Sequence, residues 1–346
     1  MRQFEIQPLD QALKEEVLRY IDDIAKPKGS LGRLEEIALQ VALIQNKLHP
    51  TLHKPHHVLF AADHGIEREH VSKSPREVTW QQTLNFKRHG TSIDYLTRQH
   101  DIELVIVDSG VDYDIPADLG IVDRKIRKGT SNFLHEAAMT EEECQICIDS
   151  GARQSEIAYH KGCNIISFGE MGIANTSPSA IWMHKLTDIP LSECVGAGSG
   201  LYGVEMDHKY KVLAQAVANA PATMDAEEVL RYFGGFEMVM TVGAMLRAAE
   251  LRMTIIVDGF IMTSCMLMAA RFNPTILQYA IFGHKGDEKG HAKLLNYLGA
   301  KPLLDLGMKL GEGTGAVTAY PIVKSAVLMM TEMSLFSGEN TIEKYF

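Results

Sequence analysis

Two glutamates set among glycines carry the strongest chemical signal in the chain. Glu170 lies in Phe168-Gly-Glu-Met-Gly-Ile-Ala-Asn-Thr-Ser-Pro178 and Glu312 in Leu310-Gly-Glu-Gly-Thr-Gly-Ala316. Glycine beside a carboxylate leaves no bulk to screen it, and the flanking backbone can adopt positive φ and approach a ligand closely. Such a carboxylate can accept a proton or hold a ring N–H while adjacent amides contact phosphate or sugar. One such run is also what a glycine-rich turn with a solvated glutamate at its tip looks like; two, beside further glycine-rich segments, point to a site. A third run, Val195-Gly-Ala-Gly-Ser-Gly200, can aim backbone N–H groups at a phosphate. It is not a P-loop, because no Gly-Lys-Ser/Thr follows, and it lacks the G-x-G-x-x-G spacing of a dinucleotide site. Lys209, nine residues past Gly200, is either the point charge a phosphate needs or a solvated surface lysine.

The elements that must hold these residues alternate between helical lengths and short apolar runs. An amphipathic stretch over 9–24 precedes Lys26-Pro-Lys-Gly-Ser-Leu-Gly-Arg33 and a second helical stretch over 34–48. Apolar runs then recur at 58–62, 102–107, 164–168, 254–257 and 279–282. Near-continuous hydrophobicity at strand length, with helices between, is the pattern of an α/β fold with a parallel sheet covered on both faces. Each run ends in a polar or acidic residue near glycine: Asp63-His-Gly65, Asp108-Ser-Gly110, Gly169-Glu-Met-Gly172, Asp258-Gly259 and Gly283-His-Lys-Gly286. At any one strand this is common turn chemistry. Repeated at all five, it predicts a ligand crevice beyond the carboxyl ends of the strands. Gly234-Gly-Phe-Glu237 predicts a helix start with Glu237 in its first turn, followed by Met238, Met240 and Met245 as core.

Size and charge narrow the function classes. A chain of 346 residues, 46% hydrophobic and 23% charged, can bury a large globular core. Its 34 basic and 44 acidic residues give a formal charge of −10, the wrong sign for a nucleic-acid footprint. The stretch His53-Lys-Pro-His-His57 is too short to change that. Charges near Met1 occupy the place of an apolar signal region, and the most apolar stretch, 253–270, is broken by Asp258-Gly259 into strand, loop and helix. A cytoplasmic protein with no membrane partner is expected. Five cysteines do not suggest a disulfide framework. Cys144 and Cys147 form a C-x-x-C pair, but they follow Thr140-Glu-Glu-Glu143, which reads as a capping box opening a helix. Without a second pair or nearby histidines they predict structural helix cysteines.

Taken in order, these segments resemble the nicotinate-nucleotide–dimethylbenzimidazole phosphoribosyltransferase family, which makes the lower nucleotide of cobalamin. The similarity spans nearly the whole chain. It includes Lys26-Pro-Lys-Gly-Ser-Leu-Gly-Arg-Leu-Glu35, Ala62-Asp-His-Gly-Ile66, Pro75-Arg-Glu-Val-Thr-Trp-Gln81 and Gly169-Glu-Met-Gly-Ile-Ala-Asn-Thr176. It continues through the 195–200 run, Gly234-Gly-Phe-Glu237, Asp258-Gly-Phe260 and Leu303-Leu-Asp-Leu-Gly-Met-Lys-Leu-Gly-Glu-Gly-Thr-Gly-Ala316. The resemblance implies a Rossmann-like domain over 51–299, a small helical domain from 1–50 plus 300–346, a homodimer, and no metal or other cofactor. It implies transfer of phosphoribose from nicotinate mononucleotide to 5,6-dimethylbenzimidazole or a related base, giving α-ribazole phosphate and nicotinate. Glu312 is then the general base, in an enclosed setting expected to raise its pKa, with Glu170 near the ribose or reacting centre. Gly172, Asn175, Thr176 and His284 are implied at the nucleotide, and Lys209 with Gly196, Gly198 and Gly200 at its phosphate. Ser72, Gln81 and Leu310 are implied in the base pocket.

Three departures bear on specificity. Ser74 precedes Pro75 where relatives usually carry an aromatic residue, and one methylene-sized misfit is worth ~1–3 kcal/mol of discrimination. Another benzimidazole, a purine or a phenol-type acceptor is therefore open as the preferred base. Ala197 and Tyr202 stand where relatives often have a larger polar residue and an acidic one, and Ala174 stands where many have glycine. Two rival classes remain. A non-catalytic paralogue, or a subunit of a heteromeric enzyme, has no need of both glutamates. A NAD-dependent oxidoreductase lacks its fingerprint spacing.

Overall fold

The computed structural model describes residues 2–338 and 343. Within them one sheet contains β1 (His56–Ala62), β2 (Glu103–Gly110), β3 (Val122–Asp123), β4 (Ile165–Met171), β5 (Thr254–Val257) and β6 (Ala280–Phe282). All neighbouring pairs are parallel, in the order β3-β2-β1-β4-β5-β6. That is the order of a Rossmann-type sheet, with its reversal between β1 and β4. The five expected strands are all present. The edge strand β3 escaped the sequence because two residues, one half-buried and one exposed, make no apolar run.

β1 is buried along its whole length, as a parallel strand covered on both faces must be. Its residues alternate between two cores. Val58, Phe60 and Ala62 face a cluster built with the helices Glu141–His160, Thr176–Leu186, Phe236–Glu250 and Phe260–Phe272. Leu59 and Ala61 face a second cluster with the helices Gln11–Asp23, Arg33–Gln45 and Thr314–Glu332. The helices from the two chain ends therefore share their core with the sheet, alongside Ile106, Ile165, Ile256 and Ile281. The ends are also tied directly, the Ala25 N–H donating to the Ser334 carbonyl at 2.8 Å.

Local chemistry sets the helix boundaries. The Thr140 hydroxyl and the Glu143 carboxylate satisfy each other's backbone N–H groups, completing the expected capping box of Glu141–His160. Behind it Cys144 and Cys147 are buried and free; burial pushes the Cys144 thiol up to about 12 and Cys147 well above its ordinary value. Both are inert at neutral pH. Met238, Met240 and Met245 are fully buried core. The 253–270 stretch folds as β5, a two-residue loop and the helix Phe260–Phe272. Among the described residues no helix is long and apolar enough to cross a membrane.

Candidate active site

A cavity of about 370 Å³ opens beyond the carboxyl ends of β4, β5 and β6, lined by residues within 170–176, 258–262, 284–288 and 308–312. Val71, Ser72, Ser74, Val78 and Gln82, from the segment after β1, close its remaining side. The position beside the β1/β4 reversal is where open α/β sheets place ligands.

Both glutamates line this cavity, and both are buried rather than solvated, at 6% and 5% exposure for Glu170 and Glu312. Glu170 lies at the end of β4, where its Oε1 accepts the Glu312 N–H at 3.3 Å and its Oε2 accepts the Asn175 side-chain amide. Burial holds the Glu170 pKa well above the ordinary carboxyl value, and those two bonds only partly oppose it. Glu312 sits in a tight turn whose three successive residues, Gly311, Glu312 and Gly313, have φ of +87°, +63° and +83°. Glycine adopts this region freely; for Glu312 it costs ~1–2 kcal/mol, which the surrounding bonds must offset. Burial also raises the Glu312 pKa, assisted by the charge of Asp258 and opposed by a hydrogen bond from Gln82. The raised pKa agrees with the expectation for an enclosed base.

Asp258, just past β5, ties the turn to the sheet. Its carboxylate accepts the Gly313 N–H at 3.2 Å and the Ala316 N–H at 2.9 Å, capping the helix Thr314–Glu332. His284 Nε2 lies 3.3 Å from the same carboxylate. Burial works to raise the Asp258 pKa, but the bonds from His284 and from the Gly259 and Ala316 amides outweigh it and keep Asp258 ionised. His284, a loop residue by sequence, is thus buried against Asp258 and lines the cavity.

Of the residues implied in the base pocket, Ser72 and Leu310 line the cavity and Gln81 does not. Gln81 is exposed and does not line the cavity; Gln82 does. Both lie on the helix Glu77–Asn85, where one residue turns the side chain by about 100°. Gln82 Nε2 donates to Glu312 Oε1 at 2.6 Å, while Glu312 Oε2 is buried with no partner among the described residues. One carboxylate oxygen is held and the other is available to take a proton. Leu310 is half out in solvent at the mouth.

At the other end Gly172, Asn175, Thr176, Gly198 and Lys209 line the cavity. Lys209 is buried, its Nζ donating to Thr176 Oγ1 at 2.8 Å and to the Gly196 carbonyl at 3.1 Å. Burial lowers its pKa to about 8, against the attraction of Glu288. The Glu288 carboxylate in turn accepts the Gly198 N–H at 3.2 Å, joining the 196–200 run to the 283–290 loop. Gly196 contributes only its carbonyl, and Gly200 lies outside the lining, with open space where a Cβ would stand. Ala174 has φ of +78°, which explains why glycine suits this position better.

Gln82, Asp258, Ser199 and Glu288 belong to the site without having been singled out as site residues. Asp258 was visible as a strand-end acid, whereas nothing in the sequence distinguished Gln82 from Gln81. Ser199 is placed by its hydroxyl, 3.1 Å from that of Ser72 across the cavity mouth.

The chain is similar to known proteins over its full length. A family model described as phosphoribosyltransferase matches residues 6–339. The nicotinate-nucleotide–dimethylbenzimidazole phosphoribosyltransferase of Phocaeicola vulgatus is 54% identical over 346 residues, with 100% of each chain covered. That of Cupriavidus necator is 47% identical over 334 residues, with 96% of each covered. The crystal structure of CobT from Thermus thermophilus superposes with a TM-score of 0.90 at 35% identity, covering 94% of this chain and 97% of that one. With a family model matching residues 6–339 and a relative of this name 54% identical over the full length, the chain belongs to the nicotinate-nucleotide–dimethylbenzimidazole phosphoribosyltransferase family.

Proposed function

We propose that this protein transfers phosphoribose from nicotinate mononucleotide to 5,6-dimethylbenzimidazole or a related lower-ligand base, giving α-ribazole phosphate and nicotinate in cobalamin biosynthesis. The observation that carries this reading is the unpartnered Glu312 Oε2, buried in a cavity that Lys209 also lines. The leaving nicotinate is a pyridinium in the donor, so it departs with the bonding electrons and needs little acid assistance. The incoming base attacks the anomeric carbon through one ring nitrogen and loses a proton from the other. Glu312 takes that proton, a step typically worth ~10²–10⁴-fold. Gln82 fixes the carboxylate, Glu170 and Asn175 border the ribose, and Lys209 with the 196–200 run holds the phosphate. Ser72, Ser74 and Leu310 shape the acceptor pocket, and holding both reactants in line adds to proton removal.

The family resemblance supports a cytoplasmic homodimer with no membrane partner, and the charge of −10 argues against a nucleic-acid partner. The helices within 1–50 and 300–346 act as a small domain against the 51–299 sheet, supported by the packing of Arg33–Gln45 with Thr314–Glu332.

Mass spectrometry of reactions containing nicotinate mononucleotide with 5,6-dimethylbenzimidazole, adenine or p-cresol tests the reading. A ribosylated benzimidazole is expected. Product with another acceptor alone would reassign the base, and no product from folded, nucleotide-binding protein would overturn the activity.

The pH profile gives a second test. Protonated Glu312 cannot act as a base, so kcat should fall on the acid side with a midpoint above 4.5, the ordinary value from which burial raises it. A limb at or below 4.5 would remove Glu312 as the titrating base. Gln82→Leu deletes a hydrogen bond that lowers this pKa, so the acid limb should move to higher pH. Loss of one bond to a charged group, ~1.5–3 kcal/mol, should also cut kcat by about tenfold or more. An unmoved limb would show that Gln82 does not govern Glu312.

A further inference from the structure

His57 is the second residue of β1 and fully buried on the sheet face that also carries Leu59 and Ala61. Directly opposite it on β4 is Ser167, whose Oγ lies 2.8 Å from His57 Nδ1. The other ring nitrogen, Nε2, lies 3.0 Å from the Glu312 carbonyl oxygen. A carbonyl only accepts, so Nε2 carries the hydrogen and Nδ1 accepts from the Ser167 hydroxyl. Burial lowers the His57 pKa to about 4, so the ring is neutral and this single tautomer is the one present at working pH.

The contact falls on the peptide that joins Glu312 to Gly313. Its C=O accepts from His57 and its N–H donates to Asp258, so one peptide unit is held at once from β1 and from the residue just past β5. The turn is pressed onto the ring: a Cβ on Gly313 would come 1.9 Å from His57 Cε1. A Cβ on Gly169 would come 2.3 Å from the Glu312 carbonyl and 2.7 Å from His57 Nε2, so the β4 glycine makes the space in which the two meet.

We propose that His57 is a positioning residue for Glu312: its Nε2–H bond to the Glu312 carbonyl, with the ring oriented by the Ser167 hydroxyl on Nδ1, holds the left-handed turn that sets the Glu312 carboxylate in the cavity. Bonds already account for the Glu312 N–H and for one side-chain oxygen, through Glu170 and Gln82. The carbonyl bond from His57, with the Asp258 bond on the same peptide, stops the 312–313 unit from rotating. Glu312 is a non-glycine residue in a region it enters at a cost, so the bonds that hold the turn have to offset that cost. The proposal rests on Glu312 being the proton acceptor.

Steady-state kinetics on His57→Leu, His57→Gln and Ser167→Ala, with melting temperatures and Glu312→Gln as a reference, tests it. His57→Leu fills the space without a donor and should lower kcat about 10- to 100-fold, with the KM for nicotinate mononucleotide within about threefold of the parent. His57→Gln restores an N–H and should recover at least about fivefold of the lost kcat. Ser167→Ala removes the hydrogen bond that orients the ring and leaves Nδ1 buried without a partner, and should lower kcat about threefold or more at unchanged KM. A parental kcat in His57→Leu, no recovery in His57→Gln, or a KM that rises in step with the fall in kcat would each overturn the proposal. If His57→Leu does not fold, Ser167→Ala decides, and a parental kcat there overturns it. Parental turnover by Glu312→Gln would instead remove the general-base reading itself; an inactive Glu312→Gln beside a fully active His57→Leu removes only the role of His57.

Discussion

Glu312→Gln is expected to lower kcat by ~10²–10⁴-fold while leaving the affinity for nicotinate mononucleotide near its parental value. The substitution keeps an acceptor for Gln82 and preserves side-chain volume, so the turn and its backbone bonds are retained. What it deletes is the ability of the second oxygen to take a proton. The same change should raise the melting temperature at neutral pH. Folding raises the Glu312 pKa above its ordinary 4.5, chiefly through burial. Its contribution to stability is therefore fully present below that value and is lost as pH rises through the folded pKa. A neutral glutamine keeps the low-pH condition at every pH. Turnover, substrate affinity and thermal unfolding together decide the matter. A variant that binds and turns over like the parent would exclude Glu312 as the base, and a lowered melting temperature would trace the lost rate to a disrupted turn.

Lys209→Met is expected to act at the other end of the cavity, on donor binding rather than on proton removal. Truncating one partner of a buried, hydrogen-bonded charge pair costs ~2–5 kcal/mol, so the KM for nicotinate mononucleotide should rise roughly 30-fold or more. The lysine is protonated in the free protein only below about 8. The kcat/KM for the donor should consequently fall on the alkaline side with a midpoint near that value, and the limb should vanish in Lys209→Met. Stability moves the opposite way to affinity. Folding lowers this pKa from 10.5 to about 8, so the unfolded chain holds more protons between those values and stability rises with pH across that window. Removing the buried charge should then raise the melting temperature at pH 7. Unchanged donor affinity with the limb intact would take Lys209 out of the phosphate site.

Much of the fold was legible because its signals are local. Five apolar runs of strand length, each followed by a polar residue near glycine, are enough to read a parallel sheet with a crevice at one edge. β3 was not legible, because a two-residue edge strand is created by its neighbour and not by its own residues. The helical cysteines and the Thr140–Glu143 capping box were readable for the same reason as the strands: a cap is settled within four residues.

By itself, then, the sequence determined which chemistry was available: two glycine-framed glutamates, a glycine-rich run and a lysine to serve it. Only the tertiary structure decided how those groups are held. It brought Glu170 and Glu312 together across 142 residues, so that one carboxylate receives the other's backbone N–H. It chose Gln82 over Gln81, since the face a helix turns to a cavity depends on what packs behind it. It left Gly200 outside the cavity and put His284, a loop residue, on the carboxylate of Asp258. It also converted His57, part of a basic-looking stretch, into a neutral buried donor beneath the Glu312 turn. The physical reason is the same throughout. Residue type sets which protons and charges a group can offer, but burial and hydrogen-bond partners set its pKa and direction, and both are fixed by segments distant in sequence.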